Sequence, residues 1–427
     1  MLEPTNSVHS AMKILFFTVS LCLLHVVAAQ TTLSVSTSTP ISPGGIQTGG
    51  ELGFRVAADG DYTVASAPLD ARSGHVSGVV KVFNSTTGKL LFTLTSPGVF
   101  RNVGFGSSVA ISGNRLATGA PFDDTGKANA GSVFVYDLNS AVLNSPSVML
   151  NNPSPDTDDN FGISVALTDR YLVAGAPSDS KGAPSAGSVY VYDLLNSALT
   201  VPVHTIHNPN PIESAHFGFA VAISGTFLVV GTQSEHKGSA FVYDLSGDRP
   251  SSPIATLPMP GPPKTNSISI SGTRVLIGTP LNKVGVTSMG SVYVYELSSR
   301  TPEVPAAMLI NPRKAVSDGY GHSVSISGNN VVIGAHQGGM SADDSGRAYV
   351  YDLGGDTPTA PVATLLNLTP TANDFFGSSV AIFGSRLVVG APQDDTGAVN
   401  SGSAYVYDIS GTKPDARVVS LHNSAQP

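Results

Sequence analysis

The chain has 427 residues, a formal charge of −8 and a pI near 5.6, so it offers no basic field for a phosphate backbone, and nucleic acid is excluded as a partner. Charged residues are only 12%, while 45 glycines and 30 prolines exceed ordinary usage without reaching that of a disordered low-complexity chain. A large packed domain poor in helix formers is the class that remains.

At the N-terminus, Lys13 precedes the apolar run Ile14 to Val27, and Ala28-Ala29 supplies small residues for cleavage before Gln30. Residues 1–29 therefore read as an export signal, with Met12 as an alternative start and a signal anchor as the alternative role. Cys22 is the single cysteine and lies inside this segment, so the exported chain is expected to hold by packing and strand ladders alone. Residues 30–50 form a leader that serves either as a linker or as an outer strand closing the fold.

From residue 51 to 427 the chain repeats itself. Equivalent starts fall at Leu52, Phe105, Phe161, Phe217, Lys264, Tyr320 and Phe376, spaced by 53, 56, 56, 47, 56 and 56 residues. The seven copies span about 52–104, 105–160, 161–216, 217–263, 264–319, 320–375 and 376–427. Within a copy the hydrophobic period is two, as in Val133 and Val135 against Phe134 and Tyr136. In the second copy this predicts four strands near 106–112, 115–120, 131–138 and 147–151. The first two are joined by tight turns such as Ser112-Gly113-Asn114, whose residues suit positive φ. Four antiparallel strands per copy and seven copies predict an all-β fold, a seven-bladed β-propeller. A third-strand aromatic recurs at Phe83, Tyr136, Tyr192, Tyr243, Tyr295, Tyr351 and Tyr407, as packing between blades requires.

Phe-Gly at the opening of strand one and Gly-Ala-Pro at the end of strand two stand together at Phe105-Gly106 with Gly119-Ala120-Pro121, at Phe161-Gly162 with Gly175-Ala176-Pro177, and at Phe376-Gly377 with Gly390-Ala391-Pro392. On these residues the chain resembles the FG-GAP repeat family, which also builds the head of integrin α-subunits. Weaker copies keep parts of the motif, as at Ser66-Ala67-Pro68, Gly231-Thr232-Gln233, Gly278-Thr279-Pro280 and Gly334-Ala335-His336. The resemblance implies calcium loops between strands one and two. Here those connections are short turns, and the nearest remnant, Asp59-Gly60-Asp61, has too few carboxylates. The expectation is accordingly no cofactor and no metal.

The longer connections, from strand two to three and from strand four to the next blade, gather on one face, where binding usually resides. Several carry acids: Asp123 and Asp124, Asp179, Asp343 and Asp344, and Asp394 and Asp395. They read either as a carboxylate ring for a cation or basic partner, or as turn-forming residues at loop tips. Asp159, Asp318 and Asp374 lie on the same face and are open to the same two readings. Among the histidines, His204 and His207 point to opposite faces of a strand, and His216, His236, His322 and His336 are scattered, so no metal site is expected. Asn84 and Asn367 match the glycosylation acceptor pattern for a eukaryotic secretory route. With no catalytic constellation evident, the leading expectation is a secreted or cell-surface binding or adhesion module for a protein or glycan. The alternatives are a propeller enzyme acting on extracellular glycans, with Asp124 and Asp395 as its carboxylates, and a structural matrix component.

Overall fold

The structure, a computed structural model, describes residues 48–71, 76–98, 103–140, 142, 145–233, 238–258, 267–280, 283–284, 287–288, 290–313, 318–336, 345–367, 369–410 and 417–423. The export segment 1–29, most of the leader, Lys264, His236, Asp343 and Asp344 lie outside them. Blade 1 comprises β1 (Val56–Asp59), β2 (Tyr62–Ala67), β3 (Val79–Asn84) and β4 (Leu90–Thr95), paired antiparallel in chain order. Blade 2 repeats this as β5 (Ser108–Ser112), β6 (Arg115–Ala120), β7 (Ser132–Asp137) and β8 (Val148–Asn151), within two residues of the predicted limits. Five further four-stranded sheets complete a seven-bladed β-propeller, and the described residues contain no helix.

The strands alternate because each blade is covered on both faces by its neighbours. Seven apolar clusters fill the seven seams, one between each pair of adjacent blades. Between blades 2 and 3, Val133, Val135 and Leu150 meet Phe161, Leu172, Tyr190 and Tyr192. The predicted aromatic column lies in these seams. The Phe161 ring stands 5.6 Å from Tyr190 and 6.5 Å from Tyr192, both edge-on, a geometry that adds electrostatic gain to burial. Burial of each such large side chain contributes about 1.5–3 kcal/mol, so a seam of a dozen outweighs any single hydrogen bond within it.

The repeating motif has a direct steric cause. A Cβ on Gly119 would sit 1.8 Å from the Gly162 carbonyl oxygen of the next blade, and one on Gly390 would sit 2.0 Å from that of Gly53. The second-strand glycine is thus the place where one blade's backbone touches the Phe-Gly turn of the next. That carbonyl is held from the other side by a serine: Ser108 Oγ donates to Gly162 O at 2.7 Å, and Ser164, Ser267 and Ser323 do the same one blade further on. Two residues further along the first strand, Ser269 and Ser325 Oγ accept the N–H of Ile326 and Ile382. At the short turns, Ser224, Ser271 and Ser327 accept the N–H of Gly272, Gly328 and Gly384. The sequence's small polar residues stitch blade to blade at three levels.

Ring closure, open from sequence, uses neither an exchanged strand nor a fifth one among the described residues. Arg417–His422 is the fourth strand of blade 7, and the chain before β1 laces onto the last long loop: Gly49, Glu51 and Leu52 donate to the carbonyls of Val399, Asn400 and Ser401. The final seam is packed by Val56, Phe83, Val388, Val406 and Leu421. One proportion differs from the sequence reading. The third-to-fourth connections on the short-turn face, such as residues 138–147 and 194–203, are nearly as long as the loops opposite.

Candidate functional site

The acids of the long-loop face divide into two kinds. Asp123, Asp179 and Asp394 are buried, and each accepts the N–H two residues on, from Thr125, Lys181 and Thr396. The second oxygen of Asp179 receives the Tyr190 hydroxyl at 3.0 Å, and that of Asp394 receives Tyr405. Their neighbours Asp124 and Asp395 are exposed, and each accepts the N–H of an asparagine, Asn129 or Asn400, whose φ is 51°. Asp123, Asp179 and Asp394 thus hold their loops in shape, while Asp124 and Asp395 keep one oxygen toward solvent. Asp343 and Asp344 are outside the described residues.

Asp159, Asp318 and Asp374 form latches with the asparagine that follows the preceding fourth strand. Asn152, Asn311 and Asn367 donate Nδ2 to them at 2.8, 3.1 and 2.6 Å. Burial lifts Asp159 to about 6 against hydrogen bonds from Asp156 and Asn152 that favour its charged form. The latch changes the reading of Asn367. Its side chain is 5% exposed and its amide nitrogen is spent on Asp374, whereas a glycan needs that nitrogen in solvent. Asn84 sits half-buried in a hairpin turn, with Oδ1 accepting from Thr86 and Thr87 N–H.

The sharpest departure from the repeat lies on the inner rim of the same face, in blades 6, 7 and 1. The residue after the Phe/Tyr-Gly opening is His322, Ser378 and Phe54 in these three successive blades. The next position is serine in five blades, at Ser108, Ser164, Ser267, Ser323 and Ser379, but arginine in blade 1, at Arg55. After the second strand, blade 6 carries His336 where Pro121, Pro177 and Pro392 stand elsewhere. His322 and His336 stack with ring centroids 3.9 Å apart, and Phe375 lies 5.8 Å from His336. Arg55 lies over the Phe54 ring at 4.7 Å and donates from Nη1 to the Phe54 carbonyl, and no described carboxylate pairs with it. His336 Nδ1 and Ser378 Oγ are buried without a hydrogen-bond partner.

Burial, and next the charge of Arg55, hold His336 down to about 3. Burial, His336 and Arg55 hold His322 well below its usual value. Both imidazoles are therefore neutral at physiological pH. Burial also lowers Arg55 to about 10, which leaves it charged. Beside this rim, Glu51 adopts φ 57°, accepts from Gln393 Nε2 at 3.4 Å and is raised to about 7 by burial. Since that value exceeds its unfolded one of 4.5, the folded chain loses stability as pH rises from 4.5 through 7. Glu51→Gln keeps the acceptor for Gln393. It is expected to melt higher than the parent at about pH 8 and level with it at about pH 4, as read from paired thermal melts.

Sequence reasoning placed these histidines near the loop face but found nothing to connect them. The available signal was position within the repeat, since Arg55 replaces a residue that is serine in five blades and His336 one that is proline in five, at Pro68, Pro121, Pro177, Pro280 and Pro392.

The opposite mouth of the channel holds a cavity of about 630 Å³. Ile111, Leu167, Ile223, Ile270, Ile326 and Ile382 collar it, one from each of blades 2 to 7. Its polar groups are used within the fold: Ser112 Oγ donates to Asp169 and the Asp59 carboxylate accepts Gly113 N–H. Among the described residues no three His, Cys, Asp or Glu side chains converge as a metal cluster would.

Five segments, residues 93–136, 154–192, 206–243, 307–351 and 362–407, match the family model described as FG-GAP repeat. Each runs from within a few residues of one blade's fourth strand to the third strand of the next, so the matched unit straddles a seam. A comparison with curated proteins finds no match. Among solved structures the chain is similar to the WD40 domain of Toxoplasma gondii coronin, with 12% identity, a TM-score of 0.54, and coverage of 88% of this chain and 86% of that one. At that identity the likeness speaks for the propeller architecture alone.

Proposed function

We propose, from the premise that this chain is an FG-GAP repeat protein folded as a seven-bladed β-propeller, that it is a secreted or cell-surface, non-catalytic binding module whose long-loop face engages an extracellular protein or glycan. One observation carries the reading. On the long-loop face the sector of blades 6, 7 and 1 departs from the repeat at Arg55 and His336 and leaves the buried polar atoms of His336 and Ser378 unpaired, while the opposite mouth satisfies its own turns. Repetition maintains a scaffold, and a local departure from it that leaves polar atoms unpaired fits recognition better than packing. Export is supported by the Lys13 and Ile14 to Val27 pattern ahead of Ala28-Ala29.

The test is the purified secreted protein on arrays of glycans and extracellular proteins, with reaction products followed by mass spectrometry. Saturable binding to a narrow set, with the ligand recovered unchanged, is the expected result. Release of a cleaved glycan, abolished by Asp124→Asn or Asp395→Asn, would overturn the reading in favour of an enzyme. In the binding module that double substitution leaves the Asn129 and Asn400 backbone bonds an oxygen acceptor. It is expected to weaken a basic ligand by no more than about tenfold, as loss of exposed charge does.

A further inference from the structure

We infer that the inner rim at blades 6, 7 and 1 is a binding site for a single oxyanion, a carboxylate or phosphate group presented by the ligand. The inference deepens the loop-face reading above and rests on it for its biological role. The chemistry of the site rests on three side chains. Arg55 brings a permanent positive charge whose only side-chain hydrogen bond is to the Phe54 carbonyl, and no described carboxylate neutralises it. Ser378 Oγ, on a residue 9% exposed, and His336 Nδ1, on a residue 6% exposed, are buried polar atoms with no partner. A buried polar atom left unpaired costs stability, so retaining two beside an uncompensated guanidinium marks a place completed from outside.

Each of these groups can donate. The guanidinium does so always, the hydroxyl by rotation, and the imidazole in its Nδ1–H tautomer. Convergent donors with a net positive charge suit an acceptor-only group, which is what a carboxylate or phosphate is. A cation is disfavoured by the Arg55 charge, which adds to burial in lowering the pKa of His322 and His336. Glu51 does not fill the role of counter-ion, because its carboxyl is turned to Gln393 and burial favours its neutral form. The Phe54 and Phe375 rings flank the donors, Phe54 beneath Arg55 and Phe375 against His336, and give the ligand's apolar body two faces to lie on.

The placement also accounts for where the repeat is broken. At the Arg55 position four other blades carry a serine that donates to the next blade's glycine carbonyl, as Ser108 does to Gly162. Blade 1 forgoes that stitch for a guanidinium laid over the Phe54 ring.

The experiment uses the whole exported chain with sodium acetate and inorganic phosphate as probes. Ionic strength is held with sodium chloride, and binding is read by thermal melting and by the side-chain nitrogen resonances of His336. A saturable rise in melting temperature in the millimolar range, with the His336 resonance moving along the same isotherm, is expected for at least one probe. Acetate alone identifies a carboxylate site, and phosphate alone a phosphate site. Arg55→Ser installs the residue of the other blades and is expected to fold with an unchanged or higher melting temperature while binding the probe at least about tenfold more weakly. Ser378→Ala, which only deletes the orphan hydroxyl, is the second variant and is expected to weaken binding without loss of fold. No saturable response to either probe beyond that of chloride, or full retention of the response in both variants, would overturn the inference. Because neither probe depends on the natural ligand, an empty array with a working anion site, and the reverse, are separately visible.

Discussion

Gly119→Ala is expected to lower stability by about 3 kcal/mol, at the upper end of what overpacking a close contact costs. The new methyl carbon would stand 1.8 Å from the carbonyl oxygen of Gly162, a backbone atom of the next blade. That oxygen cannot step aside cheaply. Gly162 N–H is tied to Gly175 O at 2.9 Å, and the oxygen itself accepts from Ser108 Oγ. Relief of the clash therefore separates blades 2 and 3 and breaks the serine bond together with part of their apolar seam. Gly113→Ala is the control: its φ is 57°, but an added Cβ there meets nothing within 4 Å. Only the conformational cost of about 1 kcal/mol is expected for it. Urea unfolding of both variants checks the argument, and equal losses would show that the seam can open to admit a methyl group.

Asp374→Ala comes next in size, also at about 3 kcal/mol, because a buried acceptor with several donors is removed at once. Asp374 is 0% exposed and accepts from Asn367 Nδ2, from Thr371 N–H at 2.7 Å and from the Thr371 hydroxyl. Alanine leaves the Asn367 amide buried and unpaired between the end of blade 6 and the start of blade 7. Asp374→Asn retains an acceptor oxygen and is expected to recover about half of the loss. Asp395→Ala, one loop further on and exposed, is expected to cost under about 1 kcal/mol. Thermal and urea unfolding of the three variants would reveal the order, and a parity between Asp374→Ala and Asp395→Ala would remove the latch from the account.

Much of the scaffold was legible in the sequence because its causes are local. Alternation at Val133 to Tyr136 fixes a strand with two covered faces, and Gly113 between Ser112 and Asn114 fixes a tight turn. The spacing of 56 residues then multiplies both. Even the first three strands of blades 1 and 5, which the family model does not match, were readable from Leu52-Gly53 and Gly278-Thr279-Pro280 in register. What escaped were contacts that register does not encode. The lacing of Leu52 onto Ser401 joins residues 349 positions apart, and no feature of either segment names the other. Asp123, Asp179 and Asp394 make the turn bonds that their sequence context allows, but the tyrosine hydroxyls that complete Asp179 and Asp394 come from the far side of the loop, at Tyr190 and Tyr405. Asn367 looked like a surface acceptor because its two neighbours spell that pattern; its burial depends on Asp374, seven residues later.

The way the ring closes has a mechanical meaning. Six of the seven seams are bridged by continuous chain, but the seam between blades 7 and 1 is held without a covalent link, by side-chain packing, by the bonds from Gly49, Glu51 and Leu52 to residues 399–401, and by single hydrogen bonds such as Val56 N–H to Ser379 Oγ and Asn423 to Asp70. Tension applied at the N-terminal end of the propeller therefore falls first on this joint, where the bonds from Gly49, Glu51 and Leu52 are met one after another. Arg55 lies on one lip of that joint, and Ser378 and Phe375 on the other. A ligand gripping both lips would act as a rivet, coupling occupancy of the loop face to the force the ring can bear.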